Sequence, residues 1–260
     1  MIEIIPAILP KNYEDLKDKI ALVRGVVPIV QIDICDGIFV KNMTWPFIIP
    51  PLEISRHCAL PGVPGGTLAD AKFQGATLDM YFQNILNEQE GMPFWEDIDF
   101  ELDLMVTDTV ENFDVYTKLG PKRIVFHLEA VGDLEIFKEF LEGLDNYIRD
   151  AIQIGVAISV TTSLEKIFPM VPLIDFVQVM GIEKIGYQGE DFTEKSIEYI
   201  KILKEKFTDL VVSVDGGINF ETAPEVIEAG ADRLIIGSAI FNTDDIIDTI
   251  ENFKNINSVF

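Results

Sequence analysis

The sequence predicts an α/β protein folded as a (β/α)8, or TIM, barrel, with a long insertion after the second strand. Three observations carry this expectation. The chain has 260 residues, close to the roughly 250 of such barrels and enough to bury one large core, so residues 1–260 read as a single domain. Eight short runs rich in Val, Ile and Phe alternate with longer amphipathic stretches, the rhythm of βαβ units and a parallel sheet. The last two runs, VSVDGGI at Val212–Ile218 and LIIGSAIF at Leu234–Phe241, end in glycine, and barrels of this kind hold an anion after strands seven and eight.

In chain order the strands are expected at Glu3–Leu9, Pro28–Ile34, Phe100–Val106, Arg123–Leu128, Val156–Val160, Phe176–Gly181, Leu210–Asp215 and Arg233–Gly237. Helical spacing of apolar residues marks Tyr13–Arg24, Val110–Leu119, Asp133–Gln153, Ser163–Val171, Thr193–Lys206, Phe220–Ala229 and Thr243–Phe253. Gly25, Gly120, Gly155 and Gly230 fall where such helices stop and turn into the next strand. The rhythm breaks at Ile48–Asp99. Its first half, IIPPLEISRHCALPGVPGG, is rich in Pro and Gly, and its second holds a helix around Leu78–Asn87. Following the second strand, this insertion emerges at the C-terminal mouth, where barrel active sites lie.

Composition excludes several partners. Apolar residues make up 48% and charged residues 25%, ordinary globular usage. Lys and Arg total 20 against 44 Asp and Glu, a formal charge of -24, which repels nucleic acid and anionic membranes. The start, MIEIIPAILP, interrupts any apolar leader with Glu3, Pro6 and Pro10. No run of about 18 apolar residues offers a membrane span. Cys35 and Cys58 make no disulfide or metal framework, and a cytoplasmic location is expected. An anionic substrate meets the same repulsion, so it needs local N–H donors.

Glycines supply those donors. Without a Cβ, Gly216, Gly217 and Gly237 let backbone N–H groups approach an anion, with Ser238 opening the following helix. A second loop, GIEKIGYQGEDF at Gly181–Phe192, follows the sixth strand and brings Gly186 and Gly189 to the same place. The other chemical signal is acidic. Asp33 in QIDICDG, Asp103 in ELDLMV and Asp215 in SVDGG each sit late in an apolar strand. A carboxylate there is costly unless paired, metal-bound or used, and three at strand ends point to one site.

Taken together, IIPAILPKNYEDL, QIDICDGIFVKNMT, DLMV, VFHLEA at Val125–Ala130, the VMGIE-to-QGEDF loop, SVDGG and GSAIF resemble, in order, the motifs of the ribulose-phosphate 3-epimerase family. The resemblance touches seven of the eight expected strands and implies a barrel of the ribulose-phosphate-binding type. It implies an isomerase that inverts C3 of a ketose phosphate, D-ribulose 5-phosphate to D-xylulose 5-phosphate first. Asp33 and Asp215 are then the two acid/base groups flanking an enediolate. It implies a divalent metal, no organic cofactor and, by analogy, a homo-oligomer. Where the family places two metal-binding histidines, this chain has Gln31 and Asp103. The ligand set becomes Gln31, Asp33, Asp103 and Asp215, all oxygen, which favours Mg or Mn over Zn.

Other departures are local. Ala7 stands where the family has a substrate-contacting serine, Lys184 replaces a proline, and Gln188 and Gly189 replace a double glycine with one extra residue in the loop. His127 and Met105 match positions that line the family's pocket, as does Met180. His57 lies in the insertion and carries no argument. The residues leave two other functions open. An enediolate-forming decarboxylase or aldolase is hinted at by Asp103 and Asp108, but Met105 holds the place of its lysine. A non-catalytic phosphosugar-binding barrel keeps the cradle without turnover.

Overall fold

A computed structural model describes residues 2–48 and 77–256. Strands β1 (Glu3–Ile8), β2 (Ile29–Cys35), β5 (Asp99–Met105), β6 (Arg123–His127), β7 (Gln153–Ile158), β8 (Phe176–Met180), β9 (Val211–Asp215) and β10 (Arg233–Ile236) close in the ring order β1-β10-β9-β8-β7-β6-β5-β2. Every pair in the ring is parallel. This is the (β/α)8 barrel the sequence predicts.

Helices α1 (Tyr13–Val23), α3 (Phe113–Thr117), α4 (Leu134–Gly143), α5 (Asn146–Ala151), α6 (Lys195–Lys206), α7 (Ala223–Glu228), α8 (Ser238–Phe241) and α9 (Ile246–Asn255) surround it. Their buried faces, such as Leu16, Ile20 and Val23 of α1 or Ile200 and Leu203 of α6, pack on outward strand residues including Ile4, Ile32, Leu102 and Val212. The main core therefore lies between strands and helices. Among the described residues, no helix is long and apolar enough to cross a membrane.

Several expected elements differ for identifiable reasons. The stretch expected as one helix over Asp133–Gln153 is two, because Asp145 turns its carboxylate onto Ile148 N–H and starts α5 afresh. Strand β7 begins at Gln153, not Val156, so Gly155 lies inside the strand instead of at a helix end. Its role is space: a Cβ there would run into the Phe176 ring. The helix expected at Ser163–Val171 is two short 3-10 turns, Leu164–Lys166 and Val171–Leu173. Pro169 and Pro172 remove the N–H groups an α-helix would need there. Helix α8, a single turn, follows Gly237 directly.

The insertion leaves from β3 (Phe47–Ile48) and returns through β4 (Thr77–Leu78), which pair antiparallel. The helix expected near Leu78–Asn87 is α2 (Met80–Leu86), capped by Asp79, whose carboxylate accepts from Tyr81 and Phe82 N–H. Phe82 meets Trp45 edge-on at 5.6 Å, and Tyr81 stacks on Tyr13 at 4.2 Å. His57 and Cys58 lie outside the described residues; Cys35 is buried and free.

Candidate active site

Strand alternation sends Asp33, Asp103 and Asp215 toward the barrel axis at the C-terminal end. One carboxylate oxygen from each lies within 4.8 Å of the others. Asp33 and Asp103 are register partners on neighbouring strands, and Asp215 comes from β9, three places from β2 around the ring. The Gln31 amide bridges two of them: Nε2 donates to Asp33 Oδ1 at 2.8 Å and to Asp215 Oδ2 at 3.3 Å. Asp103 lies deeper, accepting from His127 Nε2 at 2.8 Å and from Gln178 Nε2 at 3.3 Å.

These groups are paired with few charges of opposite sign. Burial, and then the Asp215 carboxylate, push Asp33 well above the ordinary carboxylate range. Burial, and then Asp103, raise Asp215 to about 7. For His127 burial works against the charged form, but the Asp103 carboxylate outweighs it and the pKa rises. Below the acids, Gln31 Oε1, Gln178 Oε1, His127 Nδ1 and Ser213 Oγ are buried without a hydrogen-bond partner. The three carboxylates form an all-oxygen donor set of the kind hard divalent cations prefer, while Gln31, expected to join them, presents its amide nitrogen to two of them.

A cleft opens above Asp33 and Asp215. Met105, Met180 and Ile182 form its apolar wall, and Gly186, Gly189, Gly216, Gly217, Gly237 and Ser238 line its far end. All the glycines expected to form a cradle therefore meet at one place. Gly217 must be glycine on two counts: its φ is +70°, and a Cβ would come within 2.8 Å of the Phe192 backbone. His127, expected to line the pocket, does not. It is fully buried behind Asp103, with Phe39 at 5.7 Å, and does not line the cleft.

The segment DGIFVKNMT, singled out by sequence without a physical role, is the scaffold of this site. Asp36 accepts from Ile38 and Phe39 N–H at 2.7 and 2.9 Å and from Thr107 N–H and Oγ1 at 2.7 and 2.9 Å, stapling the turn after β2 to the end of β5. Thr44 Oγ1 donates to the Asp33 carbonyl at 2.7 Å and accepts from Cys35 N–H at 2.8 Å. Asn42 Nδ2 donates to the Gly186 carbonyl at 3.0 Å, tying this loop to the glycine loop after β8. Gln178 was not singled out by sequence, although a lone amide in the apolar run FVQVM is the signal that finds it.

Fold and site together define a (β/α)8 barrel with a cluster of buried carboxyls and a glycine-lined cleft at its C-terminal mouth. The model of the ribulose-phosphate 3 epimerase family matches residues 77–241, more than half of the chain. This protein belongs to that family and is an enzyme of the isomerase type. It is 27% identical over 253 residues to ribulose-phosphate 3-epimerase of Eremothecium gossypii, covering 97% of this chain and 91% of that one. The Bacillus subtilis enzyme of the same name is 26% identical over 251 residues, 94% of each chain. Solved structures agree in fold. KGPDC from Streptococcus mutans superposes with a TM-score of 0.62 at 13% identity, covering 100% of this chain and 99% of that one. The 3-hexulose-6-phosphate synthase from Salmonella typhimurium gives 0.60 at 13% identity, covering 98% of both.

Proposed function

We propose that this enzyme epimerises a ketose phosphate at C3, with D-ribulose 5-phosphate and D-xylulose 5-phosphate as the first pair to test. The observation that carries the reading is the convergence of the Asp33 and Asp215 carboxyls on one amide nitrogen beneath the glycine-lined cleft. Both carboxyls are pushed upward by burial and by neighbouring negative charge, and one amide nitrogen holds both. Like charges so close do not both ionise readily, and the reading assigns a carboxylate to one and a carboxylic acid to the other.

Inversion needs that pair. The carboxylate removes the C3 proton from one face of the sugar, leaving an enediolate, and the carboxylic acid delivers its proton to the opposite face. The C–H bond that breaks on one side is replaced by one that forms on the other, and the two residues exchange protonation states. Because both groups are aspartates, the reaction runs in either direction. Gly186, Gly189, Gly216, Gly217, Gly237 and Ser238 hold the phosphate through backbone N–H groups, and Met105 packs against the sugar.

Asp33, Asp103 and Asp215 are the residues that would hold a divalent cation, Mg or Mn in preference to Zn, and Gln31 would add its side-chain oxygen by turning its amide over. Such an ion, when bound, supplies positive charge beside the developing oxyanions. His127 acts through Asp103, fixing that carboxylate from behind.

The test is solvent deuterium incorporation at C3 of D-ribulose 5-phosphate, followed by proton NMR with Mg, Mn or Zn added. Exchange at C3 with formation of the xylulose epimer is expected, fastest with Mg or Mn. Release of carbon dioxide or formaldehyde from a sugar phosphate would favour the lyase reading instead. Tight phosphosugar binding with no exchange would point to a non-catalytic binding barrel.

A further inference from the structure

The anion end of the cleft already has an occupant. Gln188, in the glycine loop after β8, extends its side chain across the mouth, and its Nε2 donates to the Ala7 carbonyl of β1 at 3.0 Å. On the way the carboxamide presses on Gly237, where its nitrogen stands in the space a Cβ would take. An anion seated against the Gly237 backbone would meet this arm.

The surroundings explain why an amide can rest there. Among the described residues, those lining the cleft include the acids Asp33, Glu190 and Asp215 but no Lys, Arg or His. The anion end is thus built from neutral N–H donors, against which a neutral side chain packs without an electrostatic penalty. The base of the loop is held separately, by the Asn42 bond to the Gly186 carbonyl and by Val40, which fills the space beneath Gly186. Only the arm has to move. Gln188 is otherwise exposed, so releasing it costs one neutral hydrogen bond, whereas a phosphate makes several charge-assisted ones in its place.

We propose that the Gln188 carboxamide sterically occupies the place of the ligand's phosphate at Gly237 and must be displaced by each incoming substrate, so that this side chain sets the affinity for the anionic tail. The inference rests on the glycine-lined end of the cleft being the phosphate site of the proposed epimerase. A protein that is ligand-competent only when the arm is out binds more weakly by the fraction of time the arm is in.

The test compares wild type with Gln188→Ala and with Gln188→Asn, which keeps the amide but is too short to reach Ala7. Binding of inorganic phosphate is measured by titration calorimetry, and KM for D-ribulose 5-phosphate by C3 exchange, with thermal melts confirming folding. Removing one neutral hydrogen bond of the competing arm should tighten phosphate binding about fivefold in both variants, with a matching fall in KM. Unchanged or weaker phosphate binding, or none in any of the three proteins, overturns the proposal. Tighter phosphate binding without C3 exchange in any protein leaves the Gln188 role standing and removes the epimerase reading. Exchange with no change in phosphate affinity does the reverse.

Discussion

Buried carboxylates occur at both ends of this barrel, and the two ends treat them in opposite ways. At the N-terminal end, Arg123 donates to both Glu3 oxygens at 3.1 Å and to Glu101 at 3.3 Å, while Arg233 Nε reaches Glu3 at 3.0 Å. Gln153 Oε1 accepts from both arginines, at 3.2 and 3.3 Å. At the C-terminal end three aspartates converge, and among the described residues His127 is the single partner able to carry positive charge. Compensation at one end holds the barrel closed. Charge left facing like charge at the other raises the pKa of Asp33 and Asp215. One fold thus keeps stability and chemistry at opposite ends of the same strands.

The sharpest way to break this contrast is to neutralise the open end. Asp33→Asn or Asp215→Asn should lower C3 exchange by on the order of 10³-fold, the usual worth of a positioned acid/base group. In Asp215→Asn, relieving a buried, repelled charge should at the same time stabilise the metal-free protein near pH 8 by on the order of 4 kcal/mol, given an Asp215 pKa moved from 3.8 to about 7. Urea unfolding alongside the exchange assay reads both effects. A variant that loses activity and stability together would place these residues with the closed end.

The converse experiment is Arg123→Met. Stripping one partner from a buried ion network should cost about 3 kcal/mol in urea unfolding, with C3 exchange per folded molecule unchanged. Burial already raises Glu101 to about 7 despite the nearby arginines, so the loss should be greater at pH 8 than at pH 5, where that carboxyl takes up a proton.

Proton linkage sharpens the comparison further. The folded protein keeps a proton on Asp215 up to about pH 7, whereas the unfolded chain has released it near its ordinary value of 3.8. Wild-type stability should therefore fall relative to Asp215→Asn as pH rises from about 4 to 7, and the difference should level off above. Added Mn should raise the melting temperature more at pH 8 than at pH 6, since cation binding requires the ionised carboxylates. Equal shifts at both pH values would remove these acids from the metal site.

The smallest expected effect is at Gly217→Ala. A left-handed backbone and the close Phe192 main chain predict a loss of about 2 kcal/mol in stability. Phosphate binding measured by calorimetry should fall with it.

Much of this was legible in the sequence because it rests on local pattern. Apolar runs closed by turn residues located all eight barrel strands to within a few residues, and a carboxylate late in an apolar run located Asp33, Asp103 and Asp215. What escaped depends on partners distant along the chain. Gly155 resembles a helix terminator until Phe176 is seen filling the space above it. His127 resembles a pocket residue until Asp103 is seen in front of it. The Gln188 arm is defined only by Ala7 and Gly237, residues at opposite ends of the sequence. Asp36 read as part of a motif, and its four hydrogen bonds give the reason that motif exists.

The pairing of Phe47 with Leu78 and of Ile48 with Thr77 carries a consequence for how the gene can be edited. An antiparallel pair can be joined by a two-residue turn such as Asn-Gly, and the two ends that flank residues 49–76 already lie side by side. Excising that segment leaves the barrel's hydrogen-bonded ring uncut. A shortened chain that still exchanges C3 protons would assign the chemistry to the scaffold and free the segment to diversify independently.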